Sequence, residues 1–87
     1  MRKFLMETYD IERNSVAVVE AETLQGAFVE FIDYYSIRYP LKRKDIENLV
    51  KDWTLEKFIE YFENEYNSIK QIYEIKETLY IKQFNID

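Results

Sequence analysis

The chain has 87 residues, 17 Asp and Glu against 12 Lys and Arg, and a net charge of −5; it contains no histidine, no cysteine, one glycine and one proline. Without His or Cys it has neither a disulfide nor the usual zinc ligands to staple a small fold, and the common nucleophile–base pairs are missing. One glycine cannot build a loop whose exposed N–H groups cradle phosphate, which excludes P-loop and dinucleotide sites.

Length favours a single domain, 1–87, with no linker. Such a domain must stand on packing, and eight Tyr, six Phe and one Trp supply the apolar area. Residues 3–11 and 15–21 are β-prone, with Val16 to Val19 the strongest run and a turn expected at Glu12 to Asn14. Pairing Ile11 with Val16 would set Glu7 against Glu20, an unfavourable like-charge pair that a bulge or shifted register would relieve. Thr23 is a helix N-cap, and Leu24, Ala27, Phe28, Phe31, Ile32 and Tyr35 follow at helical spacing. Pro40 ends that helix before Tyr39.

Residues 41–53 predict a short helix with Ile46, Leu49, Val50 and Trp53 on one face. Thr54 caps a third, on which Leu55, Phe58, Ile59, Phe62 and Tyr66 form an apolar stripe. From Ile69 to Ile86 the residue types favour strands, with a turn at Lys76 to Thr78; the alternative is that the third helix runs on. The order ββαααββ predicts an α+β domain: a β-hairpin, two to three helices, and a C-terminal hairpin. Its helices pack on one face of an antiparallel sheet. The expected core is Leu24, Phe28, Phe31, Ile46, Val50, Trp53, Leu55, Phe58, Ile59 and Phe62.

The three serines, Ser15, Ser36 and Ser68, fall at expected turns or helix ends with no base nearby in sequence. Glu63, Glu65, Asn67 and Glu74 imitate part of a calcium loop, but Ser68 stands where that loop needs glycine and Lys70 where it needs an apolar residue. No catalytic residue, metal or cofactor is assigned. No stretch approaches the ~20 apolar residues of a membrane span, and the segment Met1 to Met6 does not make a signal peptide. The expectation is a soluble, cytoplasmic protein.

Charge is unevenly distributed. Asp52, Glu56, Glu60 and Glu63 recur at four, four and three residues, one ridge with neighbours about 6 Å apart at ~1.5 Å rise per residue. A solvated outer face explains such a ridge, and so does a surface that attracts Lys and Arg as a row of phosphates would. Glu20, Glu22 and Glu30, or Glu7, Asp10 and Glu12, would extend it. Tyr34, Tyr39 and Tyr61 lie off the apolar stripes, as expected of exposed interface aromatics or of a wide, partly wet core. Lys42, Arg43 and Lys44 form one basic cluster, expected to neutralise a helix C-terminus or pair with the ridge.

In composition the chain resembles the small acidic proteins of phages and mobile elements, including anti-CRISPR and other anti-defence inhibitors. The missing catalytic residue types and the acidic, tyrosine-rich composition predict a non-catalytic module that occupies a basic surface of a partner, without binding nucleic acid or membrane itself, and the likeness points to a nuclease or other nucleic-acid-binding protein as that partner. A homodimer built on exposed tyrosines is the alternative, and a small carboxylate-based enzyme the second alternative.

Overall fold

Residue-by-residue alternation of buried and exposed side chains builds the sheet. The computed structural model describes residues 1–9, 14–36 and 41–76, with the backbone of 81–84. Strands β1 (Arg2–Tyr9), β2 (Asn14–Ala21), β3 (Ser68–Ile75) and β4 (Ile81–Phe84) form one antiparallel sheet in the order β2-β1-β3-β4. Helices α1 (Leu24–Tyr35), α2 (Arg43–Val50) and α3 (Leu55–Glu65) lie between β2 and β3 in the chain. This is the expected α+β order, and the tail forms strands rather than prolonging α3.

Phe4, Met6 and Thr8 of β1, Ala17, Val19 and Ala21 of β2, and Ile69, Ile72 and Glu74 of β3 are buried on the sheet face that meets the helices. Ile69 and Ile72 are three apart yet share that face. The register slips between Glu7 and Thr8, which pair with Gln71 and Ile69, so that Lys70 is the extra residue of a bulge. Above them sit Phe28, Phe31 and Ile32 of α1, Ile46 and Val50 of α2, and Phe58 and Phe62 of α3. Phe28 and Phe58 stack at 4.4 Å between ring centres and tie α1 to α3. Each fully buried Phe contributes about 2–3 kcal/mol of transfer energy.

The hairpin takes the shifted register. Glu7 faces Val16, and Lys3 faces Glu20 with 3.9 Å between their charges. The pairing moves by an even number of residues from the Ile11–Val16 alignment, so every side chain keeps its face while the like-charge pair is removed. Asn14 opens β2 opposite Tyr9 rather than sitting in the turn. Ile11 and the remainder of the expected turn lie outside the described residues, as do Asp10, Glu12, Tyr39, Pro40 and most of the turn expected at Lys76 to Thr78.

Both threonine caps are formed. Thr23 Oγ1 accepts from the Gly26 N–H at 3.0 Å, and Thr54 Oγ1 from the Lys57 N–H at 3.2 Å. A Cβ on Gly26 would lie 3.2 Å from the Ala21 Cβ, so the glycine lets α1 start close over the end of β2. Three expected core residues, Leu24, Trp53 and Leu55, are only partly buried, and Leu49 is 40% exposed. Leu24 and Leu55 are the first residues of their helices, and Trp53 lies between α2 and α3. On α2 the covered stripe is the i, i+4 pair Ile46 and Val50, from which Leu49 is turned aside.

Candidate functional site

On α3 the helical turn of about 100° per residue puts Glu56, Glu60 and Glu63 on one flank of the buried stripe and Tyr61 on the other. Asp52, just before the Thr54 cap, is exposed, as are all three glutamates. The three glutamates therefore share one exposed flank of α3, whereas Asp52 lies in the turn ahead of the cap, off the helix that the spacing of four assumed, and the glutamates themselves differ. Glu63 Oε2 accepts from the backbone N–H of Ile69 at 2.9 Å, so this carboxylate helps hold the start of β3. Lys57 Nζ lies 3.4 Å from Glu60 and offsets part of its charge. Glu56 completes the acidic flank of the helix.

Of the predicted tyrosines, the two described, Tyr34 and Tyr61, do not join that ridge. Tyr34 on α1 is 59% exposed. Tyr61 is half-buried in a run of touching rings: Trp53 to Tyr61 at 5.0 Å, Tyr61 to Tyr66 at 6.4 Å, Tyr66 to Tyr35 at 6.2 Å, and Tyr35 to Tyr34 at 5.1 Å. The run links α3 to α1 on the flank away from Glu56, Glu60 and Glu63. Burial pushes the Tyr61 phenol up, with Glu65 adding to it. Tyr66 is raised by burial first, then by Tyr61 and Glu65. The Tyr35 hydroxyl approaches Thr8 and Ser15, each at 3.5 Å, and these two hydroxyls bond each other at 2.8 Å. That cluster assigns Ser15 a structural contact.

Of the basic cluster, Arg43 reaches the C-terminal half of α1. Lys42 is the N-cap residue of α2, so these cations begin a helix rather than ending one. Arg43 pairs with Glu30 and lies 3.8 Å from Asp33, both on α1. Arg43 thus fastens α2 to α1 rather than to the acids of α3. Together with Glu20, Glu22, Glu30 and Glu47 it lines a surface hollow of about 470 Å³. A second acidic region therefore lies beside β2, separate from α3.

Glu74 is the polar residue that sequence reasoning misplaced. It is 3% exposed on the covered face of β3. Arg2 donates to both of its oxygens, Nε to Oε2 at 2.7 Å and Nη2 to Oε1 at 2.8 Å, and Lys76 Nζ approaches Oε2 at 3.0 Å. The Arg2 fork, opposed by burial and helped by Lys76, holds the carboxyl at about 2. The guanidinium also lies 5.1 Å above the Phe4 ring. Among the described residues no group of three or more Asp or Glu gathers as metal ligands, and the partial calcium pattern is dispersed, with Glu63 bonded to Ile69 and Glu74 to Arg2. An acid two residues after buried Ile72, on the same face of an alternating strand, was the available signal for a buried ion pair.

No helix among the described residues is long and apolar enough to cross a membrane. The arrangement offers carboxylates on two separate surfaces and an apolar, partly open sheet face carrying Val16 and Val18, 52% and 55% exposed. Comparison of the chain with protein-family models, curated proteins and solved structures found no match.

Proposed function

We propose that the protein is a non-catalytic binding module that sets the carboxylates of α3 against a basic surface of a partner protein, one that itself handles nucleic acid. The observation that carries this is the exposed flank of Glu56, Glu60 and Glu63 on α3, with Asp52 exposed in the turn before it and Lys57 3.4 Å from Glu60. A carboxylate row of this spacing attracts Lys and Arg that otherwise meet phosphates. An inhibitor of the kind that phages and mobile elements direct against nucleases and other defence proteins fits that chemistry, and the cytoplasm is where it would act.

The test compares the wild-type protein with the Asp52→Asn, Glu56→Gln, Glu60→Gln triple variant as immobilised baits in a low-GC bacterial lysate, eluted with a salt gradient. Basic proteins retained at low salt should leave the wild type as salt rises and should be lost from the variant. Losing three interfacial charge contacts weakens binding by one to several kcal/mol. An unchanged retention profile would refute the role of α3.

Self-association is a second reading, favoured by Val16 and Val18 on the open sheet face. It predicts sedimentation that depends on protein concentration and barely on salt.

A further inference from the structure

The strand β2 ends the sheet. Its one strand neighbour among the described residues is β1. Edge strands that must stay unpaired are protected by proline, by a bulge, by lysine or by a covering element. β2 has the sequence NSVAVVEA, with neither proline nor lysine, and its pairing with β1 runs from Arg2–Ala21 to Tyr9–Asn14 without a slip. Val16 and Val18 are more than half exposed. α1 packs over β2 yet leaves a hollow of about 400 Å³ between Val18, Val19 and Glu20 of the strand and Glu30, Asp33 and Tyr34 of the helix. The second hollow, toward the end of β2, brings in Glu22 and Glu47.

The charges beside this edge are mostly negative. Glu20, Glu22, Glu30, Asp33 and Glu47 are met by Arg43, which pairs with Glu30 and approaches Asp33, and by Lys3 beside Glu20. Carboxylates remain in excess after both cations are counted. None of these residues belongs to α3.

We propose that β2 is a docking edge for an extended basic segment of a partner protein, which adds to the sheet as a further strand. Main-chain hydrogen bonds to alternate residues of β2 supply binding, and side-chain alternation supplies selectivity. On the helix side, every second residue of the added strand meets Glu30, Asp33 and Glu47, and Lys or Arg suits those positions. On the open face the intervening residues continue the row of Val16 and Val18, and β-branched apolar residues suit them. The occupant is thus a segment alternating basic and β-branched residues. A second copy of this chain is a poorer occupant, because its own β2 edge brings the same acids.

The probe is a short blocked peptide alternating lysine and valine, titrated into the isotopically labelled protein at low salt, with amide exchange followed by NMR. Amides of Val16 to Glu20 should shift, and every second one of them, the set facing away from β1, should exchange at least tenfold more slowly. The same peptide N-methylated at alternate residues has lost its strand-forming N–H groups and should bind at least tenfold more weakly, with the protein itself unaltered. The Glu30→Gln, Asp33→Asn, Glu47→Gln variant should bind the unmodified peptide at least fivefold more weakly, while the Glu56→Gln, Glu60→Gln variant binds it as the wild type does. Equal binding of the two peptides, or shifts confined to α3, would overturn the assignment. So would protection of β2 that grows with protein concentration in the absence of peptide, which would make a second copy the occupant.

Discussion

Replacing Glu74 with glutamine tests whether the Arg2–Glu74 contact closes the sheet end. The amide keeps one acceptor for the Arg2 fork but turns N–H toward N–H at the other contact, and it removes the charge that Lys76 approaches at 3.0 Å. The carboxyl sits at about 2 against an ordinary 4.5. That difference corresponds to roughly 3 kcal/mol as an upper bound. Arg2 is 44% exposed, so water screens the pair and the expected loss is about 1–2 kcal/mol. In a domain of roughly 5–10 kcal/mol total stability this is readily measured.

Urea unfolding of wild type and Glu74→Gln from pH 7 to pH 2 is the assay. Because folding lowers this carboxyl's pKa, its contribution is full above about 4.5 and is lost as pH falls toward about 2. The gap between the two proteins should therefore be about 1–2 kcal/mol at pH 7 and should close by pH 2. Other acids titrate in both proteins and cancel in the difference. A gap that is absent at pH 7 would refute the ion-pair account, and one of constant size down to pH 2 would assign the effect to packing instead of charge.

Phe58→Ala or Phe62→Ala, each removing a ring that is fully buried, should cost about 3–5 kcal/mol by calorimetry or denaturant melts. A shift of only a few degrees in melting temperature would mean that the buried face of α3 is wrongly placed. Thr23→Ala and Thr54→Ala should each cost about 1 kcal/mol, with the loss read as lower urea midpoints at an unchanged slope. Neutralising Asp52, Glu56 and Glu60 should leave stability within about 0.5 kcal/mol, since these groups are exposed and make no buried contact. Adding Glu63→Ala to that set should lower stability measurably, because the Ile69 N–H loses its acceptor.

The two acidic surfaces make different demands on a partner. The α3 flank presents side-chain charge alone and fits any basic surface of matching spacing. The β2 edge presents backbone as well, so it selects an extended conformation in addition to charge. Salt should weaken binding at both, whereas N-methylation of the ligand should matter only at β2.

The helices were legible because their information is local. Thr23 and Thr54 mark the starts of α1 and α3, the spacing of Phe28, Phe31 and Ile32 or of Phe58 and Phe62 marks the buried stripe, and a helix turn involves only near neighbours. Strand identity was legible from residue type. The register of β1 on β2 was legible only in part: an even slip leaves every face unchanged, the Glu7–Glu20 clash argued against one such slip, and the pairing of Lys3 with Glu20 forms only in the folded hairpin. The ridge on α3 was visible as spacing, but the diversion of Glu63 to Ile69 depends on where β3 begins. Tyr61 and the acids were grouped by composition and parted by the turn of one helix. Glu74 shows the limit most directly. In sequence it is one acid among seventeen, and its partner Arg2 lies 72 positions away. Only the placement of β3 beside β1 brings the two together, because an ion pair depends on distance in space, which a linear chain leaves open until the sheet closes.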